Sequence, residues 1–169
     1  MNNFNETDFK TKVTNMIIQY FTCIMKNDLS NCIHFLKEQP INYATNIINK
    51  MLSTNRIKMY DELNISNIII KNIEINEINT TYNIDVDIKY IDYMINLTNG
   101  EIIGNKDNRI TKIYHLKVTK NNNTKENSII YRCPSCGNSL DVNYNGKCPY
   151  CSSIFNQEDY GYQILEIKE

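Results

Sequence analysis

YNIDVDIKY, residues 82–90, alternates apolar and polar side chains without a break. Tyr82, Ile84, Val86, Ile88 and Tyr90 fall on one side of an extended chain, and Asn83, Asp85, Asp87 and Lys89 on the other. The pattern predicts a half-buried strand. Before it, Ile68, Ile70, Ile73, Ile75 and Ile78 form a β-branched segment whose spacing slips between Ile70 and Ile73. That slip predicts a bulge near Lys71-Asn72. Asn79-Thr80 is the expected hairpin turn between the two strands. After the quoted stretch, Asn99-Gly100 marks a tight turn. A third strand follows through Ile110, Ile113, His115, Leu116 and Val118. Residues 121–128 read as a polar loop, and Ile129 to Arg132 as a short lead into a cysteine-rich segment. Tyr160 to Ile167 alternates again, with Tyr160, Tyr162, Ile164 and Glu166 on one face and Gly161, Gln163, Leu165 and Ile167 on the other.

The first third has a different period. Phe9, Val13, Met16, Ile17, Tyr20 and Ile24 follow helical spacing, with Asn5 to Asp8 as the start signal. Asp28 is the expected cap of a second, shorter helix through Leu29, Cys32, Ile33 and Leu36. Pro40 ends that helix or begins the next, which carries Ala44, Ile47, Ile48, Met51 and Leu52. Helices first and antiparallel strands afterwards predict an α+β fold with helices packed on one face of a sheet.

The chain has 169 residues and a net charge of −1, with 41% hydrophobic residues. It is long enough for one compact core plus a small appendage. The charge supplies no basic field for a polyanion. No run reaches the ~18 apolar residues of a membrane span. The first residues lack a basic n-region and a small-residue cleavage site, so no signal peptide is expected. These readings place the chain in the cytoplasm.

Cys133-x-x-Cys136 and Cys148-x-x-Cys151 are separated by eleven residues. Two such pairs in a reducing compartment favour a metal over disulfides. A two-residue gap lets both sulfurs of a pair reach one ion, and two pairs supply a tetrahedron of thiolates. Pro134 and Pro149 preset the turn inside each knuckle. Arg132 and Lys147 stand beside the ligands and offset the charge of a Zn(Cys)₄ centre. The spacing is that of a zinc ribbon. Iron is the alternative, because the motif is also similar to that of rubredoxins. Four thiolates close the coordination shell, so the zinc is expected to be structural, one per chain, and no catalytic residue is assigned.

Cys23 and Cys32 are expected in the core, and His34 on a helix surface. Asp85 and Asp87 share one strand face, expected to be solvated. His115, flanked by Tyr114 and Leu116, is expected to be a satisfied structural histidine. If Asp85, Asp87 and His115 lined a cavity they could do acid–base work.

Tyr60 to Leu63, the two Ile-rich strands, Tyr90-Ile-Asp92-Tyr93-x-Ile95, Thr98-Asn-Gly100-Glu-Ile102-Ile-Gly104 and the strand with Tyr114 and Leu116 together resemble the Tim44-like domain family. The resemblance covers roughly residues 7–120. The cysteine segment between two strands is similar to that of bacterial, ribbon-bearing members, although Ser152 stands where glycine often follows the second knuckle. The resemblance implies a cone of helices on a curved antiparallel sheet, similar to cystatin-like and nuclear transport factor two-like domains. It also implies a non-catalytic binding or scaffold role toward a protein segment or lipid, with peripheral membrane contact as one form of it. The implied division is a Tim44-like unit over 1–128, a ribbon over 129–157 and a strand over 158–169 that returns to the sheet. A small-pocket enzyme or ligand carrier is the alternative, and nucleic-acid binding through the ribbon ranks below both.

Overall fold

The structure is a computed structural model that describes residues 4–122, 136, 138, 148–152 and 161–169. The expected polar loop beyond residue 122, the lead-in strand at Ile129 to Arg132, the predicted ligand Cys133, Pro134, Lys147 and Tyr160 lie outside the described residues. Two helices, α1 (Glu6–Met25) and α2 (Glu38–Ser53), precede four strands: β1 (Arg56–Ile75), β2 (Asn79–Asn96), β3 (Ile102–Asn121) and β4 (Tyr162–Lys168). The strands form one antiparallel sheet in the order β1-β2-β3-β4. Both helices pack on one of its faces, giving the expected α+β architecture.

Helix α1 begins where the sequence signals it. The Asn5 side chain accepts the Asp8 N–H at 3.0 Å, and Glu6 and Asp8 sit in the first turn, where the helix dipole favours acids. Its buried stripe is Phe9, Val13, Ile17, Tyr20 and Ile24. It stops at Asn27, which takes a left-handed φ of 54°. Asp28 N–H bonds to Cys23 C=O at 3.1 Å and Asn27 N–H to Ile24 C=O at 3.0 Å, the paired bonds of a Schellman cap. Asp28 therefore closes the first helix instead of opening a second. Its carboxylate accepts the Ser30 N–H at 2.9 Å, which makes a tight turn. The expected short helix is reduced to a single 3₁₀ turn, Ile33–Phe35. Pro40 sits in the first turn of α2, where its missing N–H costs nothing.

The β1–β2 turn also differs from the reading. It falls on Asn76 to Ile78, because the Asn76 side chain accepts the N–H groups of Ile78 (2.8 Å) and Asn79 (2.7 Å). Asn79 and Thr80 are already paired with Asn121 and Lys120. The bulge at Lys71 is present, together with two further irregularities in β1. β1 itself starts at Arg56, well before Ile68, the first residue of the expected β-branched segment. Gly100 closes the β2–β3 turn with φ 73° and donates to Asn96 C=O at 2.8 Å.

The inner sheet face carries Ile84, Val86, Ile88, Tyr90, Tyr114, Leu116 and Val118, all at most 2% exposed, under the apolar stripes of the helices. β4 breaks simple alternation. Ile164 and Ile167 differ in parity yet both are fully buried. The register explains this: Val118 pairs with Ile164 and Lys117 with Glu166, so Leu165 is a bulged extra residue. Among the described residues, the expected two-face division therefore holds from Tyr162 only up to Ile164.

Candidate functional site

The residues that carried the family resemblance form one packed unit. Asp92 faces inward and pairs with Lys58, whose ammonium lies over the Tyr60 ring at 5.3 Å. Tyr93 points to the opposite face, 5% exposed, and its hydroxyl donates to Asp61 at 2.8 Å. Gly104 is its cross-strand partner. A Cβ at Gly104 would meet Tyr93 Cα and Cβ at 3.4 Å, and its φ of 113° suits glycine. Residues 105–108 are an excursion in β3 between the Ile91–Arg109 and Tyr93–Gly104 pairs. It lays Lys106 over the Tyr93 ring at 5.5 Å.

Asp85, Asp87 and His115 lie on the sheet face turned away from the helices. His115 Nδ1 is 2.6 Å from Asp85 Oδ1, and the His115 side chain is 58% exposed. Lys71 stands 3.9 Å from the other Asp85 oxygen. Nearby, Glu166 pairs with Lys117 at 3.4 Å and Lys168 at 2.5 Å. This is a solvated charge ladder on an open strand face, not the enclosed cavity that acid–base chemistry would require. Cys23 and Cys32 are core residues, 4% and 0% exposed. The hydrogen bond between them, with burial, pushes the Cys32 thiol up; the same bond lowers that of Cys23, against the opposing effect of burial. His34 sits half-buried in the 3₁₀ turn, its Nδ1 without a hydrogen-bond partner among the described residues, and burial lowers its pKa.

Three of the four predicted metal ligands are described, and they converge. The sulfurs of Cys136, Cys148 and Cys151 all lie within 4.8 Å of one another. Cys136 and Cys148 Sγ are 3.8 Å apart. Tetrahedral thiolates at about 2.3 Å from zinc are themselves about 3.8 Å apart, so the donor set fits that ion. Cys148 is buried while Cys136 and Cys151 are exposed. The Tyr150 N–H points at Cys148 Sγ at 3.4 Å, and Asn138 Nδ2 at Cys136 Sγ at 3.4 Å. Such N–H donors stabilise thiolates. Ser152 closes the knuckle, its N–H on Cys148 C=O at 2.9 Å, with a left-handed φ of 62°.

Sequence reasoning did not find a polar cluster under α2. Tyr114, fully buried, donates its hydroxyl to Glu169 Oε1 at 3.0 Å, and Tyr43 donates to the same oxygen at 3.2 Å. Lys112 Nζ is 3.4 Å from Oε2. Burial alone would raise the Glu169 carboxyl, but the Tyr114 hydroxyl and the Lys112 charge outweigh it and hold it below the usual range. Burial, with the Glu169 charge, pushes Tyr43 up to about 12. These residues are far apart in the chain and share no motif, so no spacing rule joins them. Tyr43 also lines a shallow groove of about 740 Å³ with Lys37, Glu38, Gln39, Asn42, Asn46 and Leu165.

No helix among the described residues is long and apolar enough to cross a membrane. No curated protein matches the chain in sequence. Among solved structures, the intermembrane space region of the chloroplast protein ARC6 is similar over 94% of this chain and 93% of that one, at 6% identity and a TM-score of 0.41, too slight a likeness to bear on function. The match that assigns a family is to the Tim44-like domain, over residues 2–128, which spans both helices and β1 to β3: the chain belongs to the Tim44-like domain family.

Proposed function

We propose that this Tim44-like domain is a non-catalytic binding or scaffold module for a protein segment or lipid. In this reading Cys133, Cys136, Cys148 and Cys151 hold one structural zinc, and the ribbon over 129–157 is inserted between the Tim44-like unit and the returning strand. The observation that carries the binding reading is that the sheet outgrows its helices. α1 runs from Arg56, whose C=O accepts the Asn27 side-chain amide at 3.3 Å, to Tyr82, the cross-strand partner of Ile73, so that the tip of the β1–β2 hairpin lies beyond it. Phe9 rests against Tyr82 at 4.5 Å between ring centres, near the start of α1. Ile73, opposite Tyr82, is exposed, and the β1–β2 hairpin continues past that point with Ile75 and Ile78 exposed at 75% and 64%. Phe4, also exposed, stacks on Tyr82 at 5.3 Å. An apolar projection of this kind marks an interaction surface. In this reading the protein works in the cytoplasm, with peripheral membrane contact if the ligand is lipid.

The test is liposome flotation and affinity capture with the zinc-loaded chain and an Ile73→Asp/Ile75→Asp variant. The wild type is expected to retain a partner or float with vesicles. The variant should lose at least about tenfold of that retention while melting within roughly 0.5 kcal/mol of wild type, as surface changes do. Absence of any partner and any flotation for the wild type would sink the reading. For the metal, a colourless protein with one zinc per chain is expected; visible absorbance from bound iron would overturn the zinc assignment.

A further inference from the structure

We propose that the cluster of Tyr43, Tyr114 and Lys112 is a carboxylate-recognition subsite, and that Glu169 fills it in place of an acidic side chain from a partner protein segment. The proposal rests on the binding-module reading and names where and how one acidic group of the partner is held. Three donors from two elements, α2 and β3, converge on one carboxylate and serve both of its oxygens. Two are neutral hydroxyls and one is an ammonium, a set that matches the charge and the lone pairs of a single carboxylate. Tyr114 is fully buried, so its hydroxyl is held rigidly at the end of the subsite.

The present occupant is placed so that it can be exchanged. The last ladder pair of β4 is Lys168 with His115, and Glu169 lies one residue beyond it, outside the strand. Its side chain is half exposed. Tyr43 belongs both to the subsite and to the wall of the adjoining groove. An extended segment in the groove would meet the side-chain amides of Asn42 and Asn46 and the apolar Leu165. Its acidic residue would then reach Tyr43 and displace Glu169. An internal competitor lowers apparent affinity by the fraction of time the subsite is open.

The probe is glutarate, a dicarboxylate whose two carboxylates are joined by three methylenes, titrated into the zinc-loaded full chain and followed by NMR shifts of the Tyr43 and Tyr114 rings. Glu169→Ala is expected to bind it roughly tenfold more tightly than wild type. Adding Tyr43→Phe or Lys112→Ala to Glu169→Ala should remove most of that gain. Tyr43 and Lys112 are partly exposed, so both variants are expected to fold, which circular dichroism checks. Equal glutarate affinity in wild type and Glu169→Ala would overturn the proposal, as would tighter binding of inorganic phosphate than of glutarate. If a captured partner stays bound to the Tyr43→Phe and Lys112→Ala proteins and glutarate does not compete with it, the subsite fails while the binding-module reading stands.

Discussion

Gly104 and Tyr93 are eleven positions apart and act as one unit. A side chain at Gly104 would rest against Tyr93 Cα and Cβ, and the φ of 113° there is one that other residues rarely adopt. Gly104→Ala is expected to destabilise the fold by about 1–3 kcal/mol, the cost of a φ that side-chain-bearing residues rarely adopt. Gly100→Ala faces open space and should cost less, about 1 kcal/mol, from its positive φ alone. Urea unfolding of the two variants side by side decides the order. Ser152 offers the reverse case. It occupies a left-handed conformation at the position where the resemblance placed glycine. On the proposed zinc site, Ser152→Gly should tighten metal binding by about 0.5–1 kcal/mol, roughly two- to fivefold in competition with a chelator. The motif residues Asp92, Tyr93 and Gly104 could be picked out from the chain, but their roles could not. Nothing in one dimension shows that Asp92 faces Lys58 while Tyr93 faces Asp61.

At the scale of elements, β4 depends on a contact across most of the chain. The Gln39 side-chain amide bonds to both backbone groups of Ile167, Nε2 to C=O and N–H to Oε1, each at 2.8 Å. Lys37 N–H adds a bond to Ile164 C=O at 2.9 Å. The start of α2 thus covers part of the free edge of β4, the kind of protection that exposed edges need. Gln39→Ala should cost about 1–3 kcal/mol, since it strands a buried donor and acceptor. Hydrogen exchange at Ile167 should accelerate at least about tenfold, with β2 amides unaffected; equal protection would show that the clamp contributes nothing. The alternation of residues 82–90 was legible because β2 is central and regular. The bulge at Leu165 was not, because only pairing with Lys117 and Val118 reveals which residue is the extra one.

Across the whole molecule, the interior between helices and sheet is rich in tyrosine. Burial raises the pKa values of Tyr20, Tyr60, Tyr90 and Tyr114, and burial with the Glu169 charge pushes Tyr43 to about 12. Each therefore holds its proton more tightly folded than unfolded. Their contribution is complete below the unfolded value of about 10 and is lost as pH rises through the folded values. Stability should fall steeply between about pH 10 and 12, with tyrosinate absorbance rising together with loss of helical circular dichroism. Titration of all tyrosines before any unfolding would contradict the buried cluster.

The sequence by itself determined the α+β class, the two long helices, the central strand, the family and the cysteine pairs. Each rests on a local period or a fixed spacing, which the chain carries in one dimension. Only the tertiary structure decided that Asp28 ends a helix, that Ile164 and Ile167 share a face, and that the hairpin outruns its helices. It also decided that Tyr43, Lys112, Tyr114 and Glu169 meet. Those features depend on cross-strand register and on packing between segments distant in the chain, which leave no local mark.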